Sequence, residues 1–174
     1  MGRVLLEVCC GSVDDVIQAR RAGADRVELN CDLFHGGLTP SLGALTVAKR
    51  ETGMKIMAMV RPREGGFCYT PVEFDTAVED SKLLLSHGAD GLVFGFLRED
   101  GTLDMERTRI LVELAQEAGR ECVFHRAIDV APDWRAALDG LMDLGVTRVL
   151  TSGQQATAPL GADTIREMIQ YAAG

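Results

Sequence analysis

Short apolar runs alternate with longer amphipathic stretches along the whole chain, and the punctuation between them repeats. Gly23, Gly53, Gly88, Gly119 and Gly145, at intervals of 26 to 35 residues, each close a helical pattern, and a strand-like run begins two or three residues later. Glycine suits the position just past a helix because the left-handed conformation costs it almost nothing there. Three of the junctions read alike: RAGADRVEL, SHGADGLVF and DLGVTRVLT. Reading outward from them predicts strands near 4–9, 25–30, 55–60, 90–95, 121–125 and 147–152. Helices are predicted near 13–22, 41–51, 72–87, 104–118, 132–144 and 161–172. Ser12 and Ser41 supply N-cap signals, and Pro71 and Pro132 first-turn signals. Strand and helix alternating every 30 residues or so predict βαβ crossovers and a parallel sheet. Six such units, with no linker between them, predict one domain over residues 1–174.

The strands themselves choose between an open sheet and a barrel. A strand covered by helices on both faces is apolar on both. Here LLEVC sets Glu7 and Cys9 on one face against Leu6 and Val8 on the other, and VELN sets Glu28 and Asn30 against Val27 and Leu29. One helix-covered face and one face bearing carboxylates suits an α/β fold of the (β/α)-barrel type, here a partial one.

In such folds chemistry gathers at the carboxyl ends of the strands. The expected tips carry Glu7 and Cys9, then Glu28 and Asn30, Arg61, His125 with Arg126, and Thr151 with Ser152. In RPREGGFCY, Arg61 and Arg63 flank a stiffening proline, and two glycines let backbone amides approach a ligand, which suits a small carboxylate or phosphate. Arg61 has an equally simple alternative, the neutralisation of Glu7 or Glu28. His125 has an ordinary pKa near 6.5 and suits general acid–base work, with Glu7 or Glu28 to orient it or share the proton transfer. Arg126 is a second anion clamp, and Thr151, Ser152 and the Gly153 amide form either a modest anion site or an ordinary turn. Asp129 is expected to begin a loop or cap the fifth helix. HGGLTPS reads as turn and cap with His35 exposed, and His87 as a residue favouring its helix dipole. Trp134, Phe94, Phe96 and Phe124 are expected to pack helices on the sheet.

Composition narrows the partners. The net charge is −8, from 18 basic and 26 acidic residues, and no Lys/Arg cluster tracks a phosphate backbone, so nucleic acid is not expected. No apolar run reaches the roughly 18 to 20 residues that span a bilayer, and the amino terminus runs straight into a strand pattern without a signal-peptide cleavage site. A soluble cytoplasmic protein is expected, with five reduced cysteines. No nucleotide-cofactor motif is present.

Six segments in fixed order, LLEVCCGSVDDVIQARRAGADRVELN, GGLTPSLG, RPREGGFCY, GADGLVFGFLREDGTLD, FHRAID and RVLTSGQ, resemble hallmark segments of the CutC family, named for copper homeostasis. The likeness runs from residue 4 to about residue 172. It implies a TIM-like (β/α) barrel, a cytoplasmic location, a homodimer and a copper-related role. Family members usually carry cysteine where this chain has Asn30, with Cys31 one place later, and glutamate where it has His35. A complete member continues through two further βα units, so the resemblance implies an incomplete barrel, six units of eight, that is truncated or associates through its open edges. Cu(I) prefers sulfur ligands, and Cys9, Cys31, Met57 and Met59 lie near strand tips, with Cys9 and Cys31 the expected metal ligands. Two functions follow: copper homeostasis through Cu(I) binding, and alternatively a barrel enzyme acting on a small anionic metabolite.

Overall fold

The computed structural model describes residues 3–173. Six parallel strands, β1 (Glu7–Cys10), β2 (Arg26–Leu29), β3 (Lys55–Met59), β4 (Gly91–Phe94), β5 (Glu121–Phe124) and β6 (Arg148–Val149), lie side by side in chain order. Between and after them run α1 (Val13–Arg21), α2 (Leu42–Thr52), α3 (Pro71–Ser86), α4 (Met105–Glu117), α5 (Trp134–Asp143) and α6 (Ala162–Ala172). A doubly wound sheet reverses its strand order once. Here the order never reverses, and the sheet curls into a half-barrel.

Alternation along each strand sorts the side chains as expected. Val27, Leu29, Ile56, Ala58, Leu92, Phe94, Cys122 and Phe124 join the main core beneath the helices. The opposite face carries Met57, Met59, Val93 and Val123 as a small inner cluster. Phe94 stacks on Phe96, and Phe96 meets Phe74 edge-on, so the aromatic residues of α3 and β4 pack layer to layer.

At the amino-terminal end of the strands the inner face becomes ionic. The Arg26 side chain, 3% exposed, donates to Glu7 and, at 2.7 Å, to Glu121. Glu121 also pairs with Lys55 and, at 3.4 Å, with Arg148. Residues of β1, β2, β3, β5 and β6 thus meet in one network that closes the floor of the interior. Burial alone would raise the Glu121 carboxyl, but Lys55 and Arg26 outweigh it and hold it at about 2.

Element ends depart from expectation where side chains intervene. β1 begins at Glu7 rather than residue 4, although the Leu6 carbonyl still accepts from the amides of Asp25 and Arg26. Pro71 opens α3 as expected, behind a Thr70–Glu73 capping box. Pro132 does not open α5: Asp133 is the N-cap, accepting from the amides of Arg135 and Ala136, so the proline lies just outside. β6 ends after two residues because the chain turns to meet Asp129. Two 3-10 turns, Leu33–His35 and Arg126–Val130, stand where sequence periodicity is silent.

Candidate functional site

A cleft of about 370 Å³ opens at the carboxyl ends of the strands, lined by Cys9, Glu28, Met59, Arg61, Phe67, His125, Arg126 and Asp129, with Gly36, Val130 and Leu150. A groove of about 440 Å³ lies between α5, α6 and β6, but its walls are mostly aliphatic, with Thr147, Arg148 and Thr151 as the polar residues along it. A mostly apolar pocket with a few aimed polar groups is the usual form of a small-molecule site, and only the first cleft has the aimed groups.

Arg61 projects from the end of β3 and is 7% exposed. Its Nη1 donates to the carbonyls of His35 and Gly37, both at 3.0 Å, and its Nη2 to Gly65 at 3.0 Å. The guanidinium thus ties the loop after β2 to the loop after β3. Gly36 makes room for it, with a φ of +86° and Nη1 only 3.0 Å from where a Cβ would stand. The neutralising role open to Arg61 in sequence is absent. Glu7 belongs to Arg26 on the floor, and Glu28 bonds to Asn30 and Cys9 instead. Among the described residues no carboxylate pairs with Arg61, and its buried Nε has no partner.

His125 follows β5 and is 4% exposed. Its Nδ1 accepts the Ala127 amide at 3.2 Å, which makes it the N-cap of the 3-10 turn. Gly95 supplies the space for the ring: a Cβ there would stand 2.3 Å from the imidazole Cε1. Phe67 packs on the ring at a centroid distance of 4.9 Å. Burial, and then the Arg61 charge, push the imidazole down to about 3, so the ring is neutral at physiological pH. Its Nε2 is buried without a partner among the described residues.

Glu28 is 4% exposed, and burial raises its carboxyl pKa. Asn30 Nδ2 donates to Oε1 at 3.0 Å, and the Cys9 thiol donates to the same oxygen at 3.6 Å. Burial and the neighbouring Glu28 push the Cys9 thiol up to about 12. Asn30 therefore holds Glu28 and Cys9 from behind. Gly37, at a φ of +83°, lies so close to it that a Cβ would sit 2.4 Å from Asn30 Oδ1.

Several expected site residues serve other ends. Glu7 lies on the floor rather than at a strand tip. Arg63 pairs with Glu73 at 2.6 Å, binds the carbonyls of Glu64, Gly66 and Cys68, and covers the Tyr69 ring, so it shapes its loop outside the cleft. Arg126 lines the rim, but it donates to Asp129 at 2.9 Å, to Ser152 Oγ at 2.6 Å and to the Gln155 carbonyl at 3.2 Å. Ser152 is committed to the same cluster. Asp129 does not cap α5: it accepts from Thr151, Ser152, Gln154 and Arg126 and folds the loop after β6 onto the cleft. Sequence reasoning missed this anchoring role, and the HGG glycines as makers of space for Arg61 and Asn30. Paired glycines beside a strand tip were the available signal for the second.

The donor chemistry does not suit copper as the side chains stand. The Cys31 thiol is engaged with the Thr39 carbonyl at 3.1 Å and does not line the cleft, whereas Cys9 and Met59 do. Cu(I) takes thiolate, and the Cys9 environment disfavours it. Among the described residues no group of three or more His, Cys, Asp or Glu side chains is placed to hold a metal ion.

A half-barrel of parallel βα units, with a polar cleft at the carboxyl ends of its strands, places the chain among the TIM-like (β/α) proteins. The family model of CutC matches residues 4–174, and the chain belongs to that family. Family protein CutC of Treponema denticola is 55% identical over 174 residues, which cover all of this chain and 70% of that one. The Erwinia tasmaniensis relative is 44% identical over 169 residues, covering 97% of this chain and 66% of its own. The chain thus spans about two thirds of the length of these relatives. A crystal structure of CutC from Streptococcus agalactiae, described as a candidate copper homeostasis protein, superposes with a TM-score of 0.91 at 32% identity, covering 99% of this chain and 84% of that chain. A 3-keto-L-gulonate-6-phosphate decarboxylase from Vibrio cholerae shares the fold alone, at a TM-score of 0.65 and 13% identity over 98% of this chain and 76% of its own. No helix among the described residues is long and apolar enough to cross a membrane.

Proposed function

We propose that this CutC chain binds a small anionic metabolite in the strand-end cleft, as a (β/α)-barrel enzyme does. The observation that carries the reading is Arg61, a buried cation with no carboxylate partner among the described residues and with an unpartnered Nε. The carbonyls of His35, Gly37 and Gly65 solvate this charge without neutralising it, and an anion arriving in the cleft supplies the missing counter-charge. His125, whose buried Nε2 has no partner among the described residues, belongs to the same cleft, while Met59, Phe67 and Leu150 offer apolar wall to the rest of a ligand. The test is calorimetric titration with inorganic phosphate, pyruvate and dihydroxyacetone phosphate. Binding of at least one probe, weakened about tenfold or more in Arg61→Met and little changed in Arg126→Met, supports the reading; ~1.4 kcal/mol corresponds to each factor of ten. No binding of any probe overturns it. Because Arg61 also ties two loops, amide shifts of wild-type Gly37, Gly65 and Ala127 on titration decide the matter if the variant unfolds.

Copper homeostasis, the role for which the Streptococcus agalactiae relative is named, is the second reading, with Cu(I) as cargo. Its support is that two sulfur-bearing residues, Cys9 and Met59, line the same cleft. Competitive Cu(I) titration of the reduced protein, lost in Cys9→Ser, would establish it; affinity indifferent to Cys9 removes it. A homodimer and cytoplasmic residence belong to the same proposal. Val4, Leu5 and Leu6 stand exposed at the β1 end of the sheet, surface that a second copy would cover, and the five cysteines are free thiols. Light scattering reads the mass.

A further inference from the structure

We infer that the cleft divides proton chemistry between two side chains: Glu28 Oε2 takes the proton, and His125, fixed as the Nε2–H tautomer, holds the oxygen of a small carbonyl substrate. The inference rests on the anion-site reading and deepens it by naming the substrate class.

The tautomer follows from the backbone. A ring nitrogen that accepts a hydrogen bond carries no proton, and Nδ1 of His125 accepts the Ala127 amide at 3.2 Å. The proton of the neutral ring therefore sits on Nε2, the atom left buried without a partner. Burial and Arg61 both oppose a second proton on this ring. A nitrogen that already bears its proton donates and cannot serve as a base. The group positioned to accept is Glu28: Asn30 and Cys9 both occupy Oε1, while Oε2 has no hydrogen-bond partner among the described residues. Each side chain is fixed by its neighbours, His125 by the space at Gly95 and Glu28 by Asn30.

A carboxylate base sharing a cleft with a neutral donor is suited to removing a proton from carbon next to a carbonyl. Glu28 Oε2 takes that proton. The C–H electron pair becomes the new C–C π bond, and the carbonyl π pair moves onto oxygen. Nε2–H of His125 and the positive charge of Arg61 stabilise the resulting enolate. Return of a proton to the same carbon completes an exchange, with no other reactant consumed. The substrate class is a small 2-oxo acid or a phosphorylated ketone, its anionic group attracted by Arg61.

The test incubates wild type and Glu28→Gln in deuterium oxide with pyruvate and with dihydroxyacetone phosphate, reading C–H loss by proton NMR and affinity by calorimetry. The expected result is exchange about a hundredfold or more above buffer for at least one probe, and about a hundredfold loss in Glu28→Gln with affinity retained, the scale of general-base catalysis. Binding without exchange overturns the inference while leaving the anion site standing, as does a Glu28→Gln variant that exchanges at the wild-type rate. Failure of both probes to bind overturns this inference, and failure of inorganic phosphate as well overturns the anion site with it. Independently of any ligand, nitrogen-15 NMR of histidine-labelled wild type should show His125 protonated at Nε2 alone; a proton on Nδ1 overturns the donor role.

Discussion

Replacing Glu121 by glutamine would test how the floor of the half-barrel supports the site. Glu121 accepts from Arg26 at 2.7 Å, from Lys55 and from Arg148, and its side chain is 26% exposed. Its carboxyl falls from an ordinary 4.5 to about 2, against a burial effect that acts alone in the other direction. At ~1.4 kcal/mol per pH unit, that depression corresponds to a stabilisation on the order of 3 kcal/mol at neutral pH. A folded-state pKa below the unfolded one gives stability that is fully present above the unfolded value and is lost as pH falls through the folded value. The wild-type advantage over Glu121→Gln should therefore hold from neutral pH down to about 4.5 and vanish near 2. Urea unfolding followed by circular dichroism measures it, and roughly 3 kcal/mol in a chain of 174 residues lowers Tm by ~6 to 12 °C. A loss that is the same at neutral and acid pH, or no loss at neutral pH, would refute the electrostatic account of the floor.

Gly95→Ala should cost about 1 to 3 kcal/mol and abolish probe binding, because the new methyl meets the His125 ring and forces it from its place; thermal melts and calorimetry check both. Asp129→Ala should release the loop after β6, which Asp129 holds through several bonds, and raise its sensitivity to limited proteolysis before global stability falls by more than a few kcal/mol. Cys9 should alkylate slowly at pH 8 despite reaching the cleft, since its thiol is held at about 12, and mass-mapped iodoacetamide labelling reads the rate.

Much of the fold was legible because helices and strands announce themselves by different periods. Glycine after each helix located the strands, and the split of Glu28 from Val27 and Leu29 identified an inner polar face, borne out by the cleft and the floor. The site was legible as residue types at strand tips: Glu28, Arg61 and His125 do line one cleft. What each of them does there was not legible. Whether Arg61 finds a carboxylate depends in part on Arg26 reaching Glu7, and that contact follows from strand register rather than from spacing in the chain. The protonation of His125 depends on an amide two residues later, in a 3-10 turn too short to leave a periodic signal. Arg63 shares a segment with Arg61 but turns to Glu73 on α3, a choice made by the loop.

The central claim is that the cleft holds a small anion against Arg61 and His125, and the most direct measurement is nitrogen-15 NMR of wild-type protein titrated with pyruvate and with phosphate. The account predicts saturable shifts of the Arg61 Nε–H and His125 Nε2–H resonances, together with the Gly37 and Ala127 amides, and little movement at Arg63 or Arg126. Shifts confined to surface residues, or no saturable shift of Arg61 and His125 with either probe, would contradict it.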